Sequence, residues 1–191
     1  MIGGLAGKVA EIDLSVNKIR IFSTPEDIVR KYLGGKGFCL AILYDELKRL
    51  EKKGVKSVDP FGPENVVVIA TGPATGIAGF PTPGRFHVMA LKSPLTSSIA
   101  SANSGGDFGP YLKFAGYDAL IIKGSSDKPV YISIIDGEIN IHDASNLWGK
   151  TVSDVDSTLK RSVNGRFISV LSIGPAGENL VLFAGLMNGY R

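Results

Sequence analysis

Val66-Val67-Val68-Ile69-Ala70-Thr71-Gly72-Pro73-Ala74 is the stretch on which the fold reading turns. Five apolar residues, four of them β-branched, form a short buried strand, and Gly-Pro ends it because proline supplies no ladder donor. The same signature returns downstream, where Phe167 to Ile173 runs into Gly174-Pro175-Ala176. Working outward from each strand gives the same order of elements. Upstream of the first lie Lys8 to Phe22, which alternates around Ser15-Val16-Asn17 as a β-hairpin, and then Thr24-Pro25-Glu26-Asp27, a helix start with Thr24 as cap and Asp27 closing a capping box. That helix breaks at Gly34-Gly35 and Gly37 and resumes with Leu40, Leu43, Tyr44, Leu47 and Leu50 as one apolar face. Upstream of the second lie Lys128 to His142, a hairpin with Asp136-Gly137 at its turn, and Thr151-Val152-Ser153-Asp154, which caps a helix carrying Val155, Leu159 and Val163. Arg85 to Leu91, Ala119 to Lys123 and Leu180 to Met187 read as further strands. The expectation is an α+β, β-rich domain built from two similar halves by internal duplication, about 1–115 and 116–191.

Composition narrows the function. The chain has 191 residues, with 21 Lys+Arg against 18 Asp+Glu and a net charge of +3 spread along its length. Nucleic-acid binding, which gathers Lys and Arg into a patch, is not indicated. One cysteine makes no internal disulfide and cannot alone hold a zinc ion or an iron–sulfur cluster. No apolar run approaches the roughly 20 residues of a membrane span, and Met1 to Lys8 lacks the pattern of a signal peptide, so a cytoplasmic location is expected.

The 24 glycines cluster. Gly72 to Arg85, Ser101 to Pro110 and Gly174 to Arg191 are Gly-rich loops whose backbone N–H groups are open to an anion, and Arg85 at the end of the first adds a forked charged donor. Each such loop also serves simply to join strands. The familiar phosphate motifs fail: there is no G-x-x-x-x-G-K-[ST], and Gly35-Lys36-Gly37-Phe38-Cys39-Leu40 has Leu40 where a dinucleotide fingerprint needs glycine. His87 and His142 stand apart from any ligand partner, Cys39 lies in an apolar run as a core residue, and no serine sits in a nucleophile motif. The residues by themselves name no acid/base pair.

The order of longer words is more specific. Asp59-Pro60-Phe61-Gly62-Pro63-Glu64-Asn65, Thr71-Gly72-Pro73, Gly84-Arg85, Lys92-Ser93-Pro94-Leu95-Thr96, Ala102-Asn103-Ser104-Gly105-Gly106, Leu112 to Ala119, Leu147-Trp148-Gly149-Lys150 and Ser172 to Leu180 follow one another along nearly the whole chain. Together they closely resemble the N-terminal domain of the tungsten-containing aldehyde:ferredoxin oxidoreductase family. The resemblance implies a β-rich base that cradles a bis-pterin cofactor with tungsten, or molybdenum, in an enzyme that oxidises aldehydes to carboxylic acids and passes electrons through a [4Fe-4S] cluster to ferredoxin. It implies cofactor contacts at Arg85, Asn103 and Gly105. It also implies a magnesium ion bridging the two pterin phosphates, held by the backbone carbonyl of Asn103. Arg191 matches the first arginine of a further pterin-gripping segment if one residue is deleted near Asn188-Gly189-Tyr190. Homodimers are frequent in the family.

The family's C-terminal helical domains, with the cluster cysteines and the substrate channel, are absent from this sequence. This chain alone is therefore expected to be inactive, its role being to hold the cofactor. The competing expectation is a stand-alone module that binds a phosphorylated ligand or a protein partner without catalysis.

Overall fold

The computed structural model describes residues 3–163 and 167–189. The chain opens with the expected hairpin, β1 (Lys8–Asp13) and β2 (Lys18–Ser23), paired antiparallel around a turn in which Asn17 adopts φ 50°. Helices α1 (Glu26–Tyr32) and α2 (Gly35–Lys52) follow, separated at Leu33-Gly34. The break falls where the glycines predicted it, but Gly35 and Gly37 belong to α2. A side chain at Gly37 would come within 2.6 Å of the Tyr32 carbonyl, so glycine is what lets the start of α2 pack against the end of α1. Thr24 does not cap α1. Pro25 occupies that position without a side-chain bond, and the Thr24 side chain is turned inward, where its hydroxyl donates to the buried Asp118 Oδ2 at 2.7 Å.

Next come β3 (Val67–Thr71), β4 (Phe86–Ala90), β5 (Ala100–Ser104), α3 (Phe108–Phe114) and β6 (Tyr117–Lys123). After them stand the second hairpin, β7 (Val130–Ile135) and β8 (Glu138–Asp143), then α4 (Val152–Ser162), β9 (Leu171–Ser172), α5 (Pro175–Glu178) and β10 (Met187–Asn188). Thr151 caps α4 as expected, accepting from the Asp154 N–H at 3.2 Å.

Six strands form one sheet in the order β2-β1-β6-β3-β4-β5, in which only the β1–β6 pair is parallel. Alternation along the strands loads both faces. Val9, Val68, Ala70, Met89, Ala119 and Ile121 pack under α1 and α2, while Ala10, Ile69, Phe86 and Leu120 face α3 through Leu112 and Phe108. The buried face of α2 is Phe38, Cys39, Ile42, Leu43 and Leu50. Leu40, Tyr44 and Leu47, part of the same apolar face, line an open groove with Val58, Leu91 and Ile99.

A mixed, sheet-rich α+β fold is therefore what the sequence encodes. The order hairpin, helix, strand pair recurs, with β7–β8, α4 and the β9–β10 ladder following the sequence of β1–β2, α1–α2 and β3–β4. The two sets differ in what they build: one six-stranded sheet, against a separate hairpin and a two-residue ladder. The expected boundary near residue 115 lies just before β6, which sits inside the large sheet. Of the strand expected over Phe167 to Ile173 only Leu171–Ser172 is paired, and of Leu180 to Met187 only Met187, in β10, is strand, the rest being turn and irregular. Leu180 there takes φ 56°, and the Ala184 N–H donates back to the Val181 carbonyl, a geometry that breaks extension before β10.

Candidate anion cradle at the β4–β5 edge

Arg85 immediately precedes β4, and Asn103 is the fourth residue of β5. Eighteen positions apart in sequence, they are brought together by the β4–β5 register, which sets His87 opposite Asn103 and Phe86 opposite Ser104. Arg85 Nη1 donates to Asn103 Oδ1 at 2.8 Å. The Asn103 amide nitrogen in turn donates to the Phe86 carbonyl at 3.3 Å and faces His87 Nδ1 at 3.0 Å. Because an amide N–H can only donate, His87 Nδ1 accepts and its proton sits on Nε2. Burial and the nearby Lys36 ammonium both push the His87 pKa below its ordinary value, in keeping with a neutral ring. Arg85 and Asn103 are exposed, and the Arg85 Nε and Nη2 donors have no hydrogen-bond partner among the described residues.

The loop from Gly72 to Arg85 is tied at both ends by one buried hydroxyl. Thr75 Oγ1 accepts from the Gly72 N–H at 3.0 Å and donates to the Arg85 carbonyl at 2.7 Å. Gly84 then lies flat against Gly106, where a Cβ would stand 2.4 Å from the Gly106 carbonyl oxygen. A Cβ at Gly105 would meet only the Arg85 guanidinium, at 3.9 to 4.0 Å. The Gly105 backbone is thus open beside the Arg85 side chain, leaving room for an oxyanion to approach the cation there.

Below this edge, Lys113 on α3 donates to the carbonyls of Gly72, at 3.1 Å, and Gly4, and stands 3.6 Å from Asp118 Oδ1. Asp118 also accepts from the Ala6 and Gly7 N–H groups, both at 2.8 Å, and from Thr24. Burial draws the Lys113 pKa down, and Asp118 opposes that pull.

Of the residues singled out from sequence, Arg85, Asn103 and Gly105 converge here, while Arg191 lies outside the described residues. His87 does take part, through Asn103. His142 is elsewhere, stacked on Tyr131 and bonded to Ser133. Cys39 is buried near the Val68 carbonyl with its thiol pushed up to about 12, a packing residue. Sequence reading missed Thr75, Lys113 and Asn188, each of which acts through a bond to a distant segment. No group of three or more His, Cys, Asp or Glu side chains in metal-binding arrangement occurs among the described residues. No described helix is long and apolar enough to cross a membrane.

Residues 9–191 match the family model described as aldehyde ferredoxin oxidoreductase, N-terminal domain. The chain belongs to the aldehyde ferredoxin oxidoreductase family. This N-terminal domain is 46% identical over 186 residues to the tungsten-containing aldehyde ferredoxin oxidoreductase of Pyrococcus furiosus, covering 97% of this chain and 29% of that protein. It is 48% identical over 189 residues to the enzyme of the same name from Pyrococcus horikoshii, covering 98% and 30%. The WOR-like subunit of an aliphatic sulfonate oxidoreductase of Pyrococcus furiosus is 33% identical, with 95% of this chain covered and 30% of that protein. Among solved structures, the active site complex BamBC of benzoyl coenzyme A reductase with 1,5-dienoyl-CoA superposes with a TM-score of 0.89 at 34% identity, over 99% of this chain and 28% of that one. The domain thus spans less than a third of the length of these relatives.

The edge offers the kinds of group an oxyanion such as a phosphate takes. Arg85 offers two free donor positions, Gly105 offers backbone that a side chain would cover, and both open to the same exposed edge.

Proposed function

We propose that this chain is the cofactor-bearing base of a tungstopterin oxidoreductase that converts aldehydes to carboxylic acids with ferredoxin as electron acceptor. The observation that carries the reading is the convergence of Arg85, Asn103 and the bare Gly105 backbone on one exposed edge of the sheet. Arg85 would fork onto phosphate oxygens of the pterin, with Gly105 giving close backbone approach. The backbone carbonyl of Asn103 is a hard oxygen of the kind magnesium takes between two phosphates. Arg191 would serve the second pterin. When bound, the tungsten, or molybdenum, of the cofactor supplies the two-electron chemistry, and the [4Fe-4S] cluster of the whole protein carries the electrons on. The residues of this chain bind and orient rather than react, so the chain alone is inactive. Higher identity to the aldehyde enzymes than to the sulfonate and benzoyl-CoA relatives favours an aldehyde as substrate. We further read the recurring hairpin, helix and strand pair as an internal duplication, and place the protein in the cytoplasm as a homodimer.

Elemental and pterin analysis tests this reading, with the 191-residue chain set beside the longest product of its gene. Tungsten or molybdenum with pterin and iron in the longer product, and its depletion by Arg85→Ala and by Gly105→Val, is the expected result. Full metal and pterin content in both variants would remove the cradle, and a longest product with neither would leave a stand-alone phosphate-binding module as the better description.

A further inference from the structure

Asn188 is a buried amide, 8% exposed, on the two-residue strand β10. Both of its ends are used. Ser169 Oγ donates to Asn188 Oδ1 at 3.1 Å, and Asn188 Nδ2 donates to the Gly105 carbonyl at 2.8 Å, a bond across 83 positions of sequence. The Gly189 N–H, donating to the Val170 carbonyl at 3.1 Å, secures β10 from its other side. Gly106, with φ +92°, lies so close beneath the amide that a Cβ there would stand 2.5 Å from Asn188 Nδ2. Gly106 thus packs against both Gly84 and Asn188.

The bond to Gly105 has a consequence beyond holding two segments together. In a trans peptide the C=O and the following N–H lie in one plane and point in opposite directions. Drawing the Gly105 carbonyl onto Asn188 therefore turns the Gly106 N–H away from β10. Glycines on both sides of this peptide leave it little intrinsic preference against a flipped orientation, so an outside contact has to select one. We propose that Asn188 is a positioning residue: its amide fixes the Gly105–Gly106 peptide in one orientation, so that the edge beside Arg85 presents a set backbone donor to the phosphate of its ligand. This deepens the cradle reading and rests on it for the identity of the ligand class. Nothing in the role requires Asn188 to touch the ligand.

The test uses the 191-residue chain, with magnesium pyrophosphate as the probe and two readouts: calorimetric affinity and the 15N–1H resonance of Gly106. Asn188→Asp keeps shape and loses the donor, and Arg85→Ala serves as the control on the cradle itself. The expected result is that Asn188→Asp weakens pyrophosphate binding about tenfold, and that its Gly106 resonance broadens or doubles as the peptide samples both orientations. The buried carboxylate facing the Gly105 carbonyl should also lower the melting temperature, so both readouts are taken where the variant is folded. Unchanged affinity with a single sharp Gly106 resonance overturns the proposal. If the parent does not bind pyrophosphate, or Arg85→Ala binds as the parent does, the cradle reading falls, and the Gly106 resonance of Asn188→Asp still decides whether the amide sets the peptide. Should Asn188→Asp not fold, Ser169→Ala replaces it. That variant keeps the donor but unpins the amide, so it should shift affinity and resonance in the same direction by a smaller amount, and no change in either would overturn the proposal.

Discussion

Asp118→Ala should be the most damaging single substitution in this fold outside the apolar core. The carboxylate is 5% exposed and takes hydrogen bonds from the Ala6 and Gly7 N–H groups and the Thr24 hydroxyl, with the Lys113 ammonium 3.6 Å away. Removing it strands three donors and leaves a lysine whose side chain is 9% exposed beside no counter-charge. Breaking a buried pair from one side costs about 3–5 kcal/mol, and each stranded donor about 1–3. Water can reach the half-buried Ala6 and exposed Gly7 amides once the segment loosens, so these terms overlap rather than add, and the net loss is about 4 kcal/mol. Urea unfolding followed by circular dichroism measures it. The double variant Lys113→Met with Asp118→Ala removes the stranded charge as well and should be less destabilised than the two single losses added together. Lys113 also sets a pH signature. Its folded pKa lies below 10.5, so between that folded value and 10.5 the unfolded chain holds the proton that the folded chain has released. In that window the parent should gain stability with rising pH relative to Lys113→Met, the direction set by the excess of protons on the unfolded state. A loss below about 1.5 kcal/mol for Asp118→Ala, with simple additivity in the double variant, would refute the buried-clamp argument.

Gly84→Val should drive a side chain into the Gly106 backbone, 2.4 Å from where its Cβ must go, costing about 1–3 kcal/mol in urea unfolding. Thr151→Ala removes the cap of α4 and should cost about 1 kcal/mol by the same measurement, since the Asp154 N–H loses its acceptor. Cys39, with its thiol pushed up to about 12, should resist alkylation at pH 8 in the folded chain and react at once after unfolding. Rapid labelling of the native protein would contradict the burial on which α2 packing rests.

Where side-chain period matched the element, the sequence was readable. Ile12 against Ile19 and Val9 against Phe22, Ile132 and Ile134 against Ile141 and Ile139, and Thr151 before α4 all stand where the hairpin and capping signals put them. β5 and α3 escaped because Ser101-Ala102-Asn103-Ser104 is polar on both faces and Phe108-Gly109-Pro110 opens a helix with two residues that usually end one. The edge position of β5 explains the first: with β4 on one side only, it needs no apolar pattern. In the cradle, Arg85 and Gly105 were legible as residue types, but their meeting depends on the β4–β5 register. The supports at Thr75, Lys113 and Asn188 were hidden, because a hydrogen bond spanning 10, 41 or 83 positions leaves no local pattern.

The parallel strand β6 governs how this chain can fold over time. It lies between β1 and β3, so a nascent chain that has released only residues 1–116 carries two strand edges with no partner between them. The sheet closes only when a segment more than a hundred residues after β1 slides in beside it, a late and distant pairing of the kind that slows folding and leaves edges open to other chains meanwhile. Expression that is slow, cool or chaperone-assisted should therefore raise the yield of this domain more than any surface substitution does.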